Sequence, residues 1–267
     1  MKIDFRYVLK QFQNYRAQYP NTERINLKEA HMRRVMKNNV RLAQTLGLSM
    51  NDVCLAAVIG LLHDIGRFEQ VRRFDTFIDK DSVDHAMLSS EILFQDGLIR
   101  KFVPDNSYDN IIQKAIENHS RFEIEDGLSK TEKLHAMLVR DSDKVDIYPQ
   151  VLISDPNLVF DGPYHQSDRV SEKVVRDFME GRCVRTEDMR CKADDFVRKV
   201  ALIYGLYFPE SLSQIKRQDS ITRLFHQFKE AFPFDDERTN QMLEMVTNIA
   251  NSYMNKQVKQ EDKEQQL

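Results

Sequence analysis

Four histidines and a few aspartates are the residues of this chain whose types and spacing could do chemistry. His63 and Asp64 stand side by side after the uncharged segment VCLAAVIGLL, Val53 to Leu62. His31 falls on a stripe with Leu27, Val35, Leu42 and Leu46. His85 shares one with Leu88 and Ile92, and His119 one with Ile112, Ala115 and Ile116. Each stripe has helical spacing, so each imidazole points inward with the apolar face. A lone histidine in such a place is usually a satisfied core residue; four of the seven, on different segments, suggest a shared task. Buried charge is costly unless paired or bound to metal, and Asp64 ends the most apolar segment of the chain. Asp141 and Asp143 follow a further apolar run, Ala136 to Val139. Imidazoles and carboxylates converging on a helical core are how helical proteins build metal sites. That donor set suits Mn, Fe, Co, Ni or Zn better than Mg or Ca alone, so a divalent transition metal is the expected cofactor.

The elements that must position these residues read as helices. A first amphipathic helix covers Ile3 to Tyr19 and ends at Pro20-Asn21; a second runs from about Leu27 to Leu46 and stops at Gly47. Ser49 caps a third, whose apolar run has no polar face and belongs at the centre of the fold. After Gly66 the charged and aromatic stretch RFEQVRRFDTFIDKD is expected to be a loop. Further helices are expected from about Ser82 to Gln95, from Tyr108 to His119, and from Ser129 past Asp143, the last opened by the capping box Ser-Lys-Thr-Glu. A loop follows from Asp155 to Asp168, then three or so more helices out to about Met254. The expectation is one helical domain over residues 1–256, with a core at about 25–150 and a helical extension at about 169–256. The polar tail 257–267 is expected to fray or be disordered.

Composition agrees. Only 8 Gly and 7 Pro interrupt 267 residues rich in helix formers, and 41% hydrophobic residues suffice for a sizeable core, so an all-α chain is expected. A net charge of −3 excludes the basic stripe of a nucleic-acid binder, leaving a small anionic substrate. Three cysteines, Cys54, Cys183 and Cys191, lack paired spacing, which argues against a disulfide framework or zinc finger. Charges interrupt the N-terminal MKIDFRYVLKQF, so it does not read as a signal peptide, and no apolar run reaches the roughly 20 residues of a membrane span. The expected location is cytoplasmic, with no membrane partner.

The order His31, then His63-Asp64 in HDIG, then an aspartate in DSDKVD resembles the H…HD…D signature of the HD superfamily of metal-dependent phosphohydrolases, over roughly residues 25 to 150. The resemblance implies an HD-domain helical bundle with additional C-terminal helices, and metal-activated hydrolysis of a phosphoester in a nucleotide or other small phosphorylated substrate. Periodicity leaves the last ligand open between Asp141 and Asp143; the family's small-residue-Asp-Lys/Arg segment matches Ser142-Asp143-Lys144 and favours Asp143. His85 and His119 fall where binuclear members carry two more histidines. On that analogy Asp64 bridges two ions, with His31, His63 and Asp143 on one and His85 and His119 on the other. The alternative is a mononuclear site with two ordinary core histidines. Two metals about 3.5–4 Å apart can lower the pKa of water and clamp a phosphoryl oxygen.

The resemblance has departures. Cyclic-dinucleotide phosphodiesterases of the HD-GYP group read HDIGK, whereas this chain reads HDIGR and lacks the GYP element after His119. Arg67 is a poor general acid but a good phosphate clamp. Lys144, beside Asp143, is a second candidate for charge at the substrate. Arg72 and Arg73 are as consistent with a solvated loop, and Glu69, Asp75 and Asp79 with outer-shell or exposed positions. HD-fold di-iron oxygenases similar to inositol oxygenase share the ligand pattern, and a non-catalytic metal-binding regulatory module is a third reading. The C-terminal helices could complete the pocket, cover the core or form a homodimer.

Overall fold

The computed structural model describes residues 3–264, and every regular element among them is helical. No helix is long and apolar enough to cross a membrane among the described residues. The chain divides into two compact units, Met1–Asp146 and Ile147–Leu267.

In the first unit the caps behave as their chemistry dictates. Asp4 accepts N–H groups at the start of α1 (Phe5–Arg16), Thr22 at the start of α2 (Glu23–Thr45), and Ser49 at the start of α3 (Met50–Leu62). From Val53 to Leu62 all of α3 is buried except Cys54, as its uncharged sequence requires. Each fully buried Leu, Ile or Val there stabilises the fold by about 1.5–3 kcal/mol. At Gly60 a Cβ would lie 2.8 Å from the Cα of Met36, so glycine is what lets α3 approach α2 backbone to backbone. That approach brings the His31 and His63 rings to a centroid distance of 5.3 Å.

The stretch after Gly66 corrects the loop expectation: α4 occupies Gly66–Phe74. Phe68 is fully buried against the core, and Glu69 pairs with Arg72 and Arg73 one turn on, so an apolar anchor and i,i+3/i+4 pairs outweigh the dense charge. Asp75, in the left-handed region at φ 52°, ends the helix. Next comes α5 (His85–Ser90), capped by Asp84 and continued as a π-helical turn over Glu91–Gln95. Then follow α6 (Ile99–Phe102), α7 (Asp109–Asn118) and α8 (Lys130–Ile153). The capping box at α8 is formed, with Glu132 Oε2 accepting from Ser129 N at 2.7 Å and Ser129 Oγ from Glu132 N at 3.3 Å. Phe12, Met32, Val58, Leu62, Phe68 and Ile116 are among the residues of the common core.

The second unit holds the end of α8, α9 (Pro156–Val159), α10 (Glu172–Met179), α11 (Lys192–Ala201), α12 (Pro209–Arg217), α13 (Ser220–Ala231) and α14 (Glu237–Glu264). Five helices replace the expected three or so beyond residue 169, because α10 and α12, at 8 and 9 residues, are too short for periodicity to separate. Phe160, Phe196, Phe228 and Phe232 form its aromatic centre. The polar stretch from 257 continues α14 as helix to Glu264, and residues 265–267 lie outside the described residues.

Candidate metal centre

Five elements of the first unit deliver side chains to one buried point. His31 comes from the middle of α2, His63 and Asp64 from the end of α3, His85 from the first position of α5, His119 from the end of α7, and Asp143 from α8. The four imidazoles and Asp64 are all buried. Asp64 lies at the centre, and its two oxygens face different partners. Oδ2 is 3.6 Å from His31 Nε2 and 3.8 Å from His63 Nε2; Oδ1 is 3.5 Å from both His85 Nε2 and His119 Nε2. Asp143 Oδ1 stands 3.1 Å from His31 Nε2 and 3.8 Å from His63 Nε2. Asp141 is buried but belongs to none of the ligand groups that meet here among the described residues, whereas Asp143 does.

Every ring is held from behind. His63 Nδ1 donates to Gly60 O at 2.9 Å and His119 Nδ1 to Ile116 O at 2.7 Å, which requires the proton on Nδ1 and leaves the Nε2 lone pairs facing the centre. His31 Nδ1 meets Asp146 Oδ2 at 2.8 Å, and His85 Nδ1 meets Asp79 Oδ2 at 2.5 Å. Carbonyl or carboxylate behind Nδ1 and a free Nε2 in front is the arrangement of a metal-binding histidine.

The donor set fits a metal. His63 Nε2 and Asp64 Oδ1 are buried polar atoms without a hydrogen-bond partner, a condition proteins rarely tolerate. His85 Nε2 and His119 Nε2 approach to 3.1 Å, so two ring lone pairs confront one another unless a cation stands between them. The groups His31/His63/Asp64, His63/His119/Asp143 and Asp64/His85/His119 each gather ligand atoms close enough to hold an ion.

Electrostatics match the geometry. Burial drives the His63 pKa down to about 3, and burial likewise lowers that of His85. Burial also opposes protonation of His31, but the carboxylates of Asp143 and Asp146 outweigh it and hold its pKa above the ordinary value. Burial would raise the Asp64 pKa, yet Lys28 and the surrounding histidines keep it well below the usual range. Asp143 is lowered in the same way, against burial, by His31. Asp79, though burial acts to raise its pKa, is held at about 2 by His85 and Arg67. The centre thus offers two carboxylates and, at His63 and His85, neutral imidazoles at neutral pH.

The remaining candidates separate. Arg67 lies at the site with Nη1 committed, donating to Gln70 Oε1, Phe77 O and Asp79 Oδ1 at 2.7, 2.6 and 3.0 Å, while Nε, buried without a hydrogen-bond partner, is 3.7 Å from Asp64 Oδ1. Asp79 is the carboxylate that orients His85. Arg72 and Arg73 are exposed and gathered by buried Glu69, which also accepts from Tyr19 Oη at 3.3 Å. Asp75 pairs with Arg24 at the surface. Lys144 is half-buried on α8, about 100° around the helix from Asp143. His135 is buried elsewhere with Nε2 3.3 Å from Asp52 Oδ1.

Sequence reasoning missed two participants. Lys28 Nζ is 3.1 Å from Asp64 Oδ2, and Asp146 joins His31 to Arg34, whose Nε and Nη2 donate to it at 2.8 and 3.0 Å. Each was signalled by a charged residue three positions from a predicted ligand: Lys28 before His31, Asp146 after Asp143.

No curated protein and no solved structure matches the chain at a significant level. The HD-domain family model matches residues 29–148, a span that begins just before His31 and closes just after Asp146. Residues 29–148 of this chain are an HD domain.

Proposed function

We propose that this HD domain binds two divalent transition-metal ions and hydrolyses a phosphoester bond in a nucleotide or other small phosphorylated substrate. The observation that carries the reading is the division of Asp64: Oδ2 serves the His31/His63 pair and Oδ1 the His85/His119 pair. His31, His63 and Asp143 would hold one ion, His85 and His119 the other, with Asp64 common to both. Divalent ions bound there supply Lewis acidity, lowering the pKa of water and polarising a phosphoryl oxygen.

The chain's own residues do the rest. The Nδ1 anchors on Gly60, Ile116, Asp79 and Asp146 lock ring orientation and tautomer, so the donor set is arranged before any ligand arrives. Burial keeps His63 and His85 neutral, hence able to ligate at neutral pH. Among the described residues the charged and metal-ligating side chains that meet around Asp64 are imidazoles, carboxylates, one ammonium and one guanidinium, which supports water as the nucleophile.

Metal analysis coupled to a phosphatase and phosphodiesterase panel with Mn, Fe, Co, Ni and Mg tests this. The wild type is expected to carry two ions and release phosphate or cleave a diester. His85→Ala and His119→Ala are each expected to retain one ion and to lose more activity than the roughly 10–100-fold that removal of an outer-shell partner costs. Full metal content and activity in both variants would refute the two-ion assignment. Iron-dependent oxygen uptake with no ester cleaved would refute hydrolysis.

A further inference from the structure

The Lys28 ammonium has a setting that metal ligation does not explain. Its side chain is only 14% exposed, yet the one hydrogen-bond acceptor it has among the described residues is Asp64 Oδ2, at 3.1 Å. An ammonium carries three N–H donors and normally spends them when buried. The Phe77 ring lies beneath it, with Nζ 5.1 Å from the ring centroid, and holds it in place by cation–π attraction. Phe77 is half-buried, on the segment between α4 and α5, and the same ring meets Arg67 at 5.8 Å. Each oxygen of Asp64 therefore has a pair of imidazoles and one cation of its own: Lys28 at Oδ2 and Arg67 at Oδ1.

The two cations are not equivalent. Arg67 gives Nη1 to three protein acceptors and has Nε without one, whereas Lys28 has Oδ2 as its one acceptor among the described residues. That oxygen also faces His31 and His63, so a cation shared by those imidazoles draws on the same lone pairs. The ammonium then needs another anion, with donors to spare for it. From this we infer that Lys28, seated on Phe77, is the phosphoryl-binding cation of the centre and selects a doubly charged phosphate monoester; the inference rests on the hydrolase reading above.

Charge balance supports the class. With the imidazoles left uncounted, Lys28, Arg34 and Arg67 stand against Asp64, Asp79, Asp143 and Asp146 around the centre, a net of one negative charge. Two divalent ions leave three positive charges. A monoester dianion neutralises two of them, a diester monoanion only one.

Calorimetric titration of the metal-loaded full chain with inorganic phosphate, and separately with dimethyl phosphate, reads this without turnover. Phosphate is expected to bind more tightly than dimethyl phosphate. Lys28→Met should weaken phosphate about 10- to 100-fold, the scale of a lost charge-assisted hydrogen bond, and narrow the gap between the two anions. Lys28→Arg should keep most of the affinity, with metal content unchanged in both variants. Equal phosphate binding by wild type and Lys28→Met, with ester hydrolysis intact in the wild type, overturns the role of Lys28 and leaves the hydrolase reading standing. Loss of metal together with phosphate also overturns it, making Lys28 part of the metal frame. Tighter binding of dimethyl phosphate overturns the monoester class. A metal-loaded wild type that neither binds phosphate nor cleaves any ester overturns both readings.

Discussion

Asp146 does not face the centre of the site, yet its removal should disable one half of it. The carboxylate is almost wholly buried and accepts from three donors: His31 Nδ1 at 2.8 Å, Arg34 Nε at 2.8 Å and Arg34 Nη2 at 3.0 Å. Asp146→Ala leaves the His31 N–H without an acceptor and the ring free to turn, so Nε2 no longer points steadily at Asp64 and Asp143. Loss of such an outer-shell partner costs about 10–100-fold in metal affinity, or about 1.4–2.8 kcal/mol at 1.4 kcal/mol per decade. Stability should fall as well. Breaking a buried ion pair costs up to about 3–5 kcal/mol, but Arg34 is 33% exposed and water takes over its guanidinium, so about 1–3 kcal/mol is expected. Asp146→Asn keeps an acceptor oxygen for the imidazole and should lose less affinity than the alanine variant. Chelator-competition titration of metal, with stoichiometry read by elemental analysis, separates the two halves: the ion at His31/His63/Asp143 should weaken while that at His85/His119 persists. A folded Asp146→Ala protein that binds both ions with wild-type affinity would refute the orienting role. Equal weakening of both ions would refute the division of Asp64 between two half-sites.

Two further outcomes follow from the packing. At Gly66 a Cβ would lie 2.7 Å from Ser89 N and 2.8 Å from Ser89 Oγ, which accepts from Gly66 N at 2.9 Å. Gly66→Ala must therefore push α4 from α5; overpacking of this kind costs about 1–3 kcal/mol, seen as a drop of roughly 2–4 °C in melting temperature per kcal/mol, and it should weaken the His85/His119 ion selectively because His85 lies one turn from Ser89. An unchanged melting temperature would show that the helices can separate freely. His135 gives a pH effect away from the metal: burial holds its pKa below the ordinary 6.5, although Asp52 pulls the other way. The unfolded chain takes up a proton near pH 6.5 that the folded chain refuses until lower pH, so this contribution is intact above that value and lost as pH falls below it. His135→Gln should shrink the difference in urea-unfolding free energy between neutral pH and about pH 5; an identical difference in variant and wild type would refute it.

The sequence by itself determined the helical class and the inward aim of the candidate ligands. Helical spacing places His31, His85 and His119 on apolar faces, and the uncharged run before His63-Asp64 has nowhere to go but the core, since burial of apolar surface dominates folding. Local chemistry near each helix start was equally legible, as the caps at Ser49 and Ser129 show. The helical state of Gly66–Phe74 was not, because what favours it is tertiary: Phe68 entering the core and Arg72 and Arg73 folding onto Glu69. Nor could a linear pattern say which oxygen of Asp64 faces which pair of histidines, that Arg67 is tied to Asp79, or that Lys28 pairs with Asp64. Those relations join side chains 36 residues apart at Lys28–Asp64 and 115 apart at His31–Asp146. They depend on ångström-scale distances set by how α2, α3, α5, α7 and α8 pack, whereas periodicity records only the direction in which a side chain leaves its own helix.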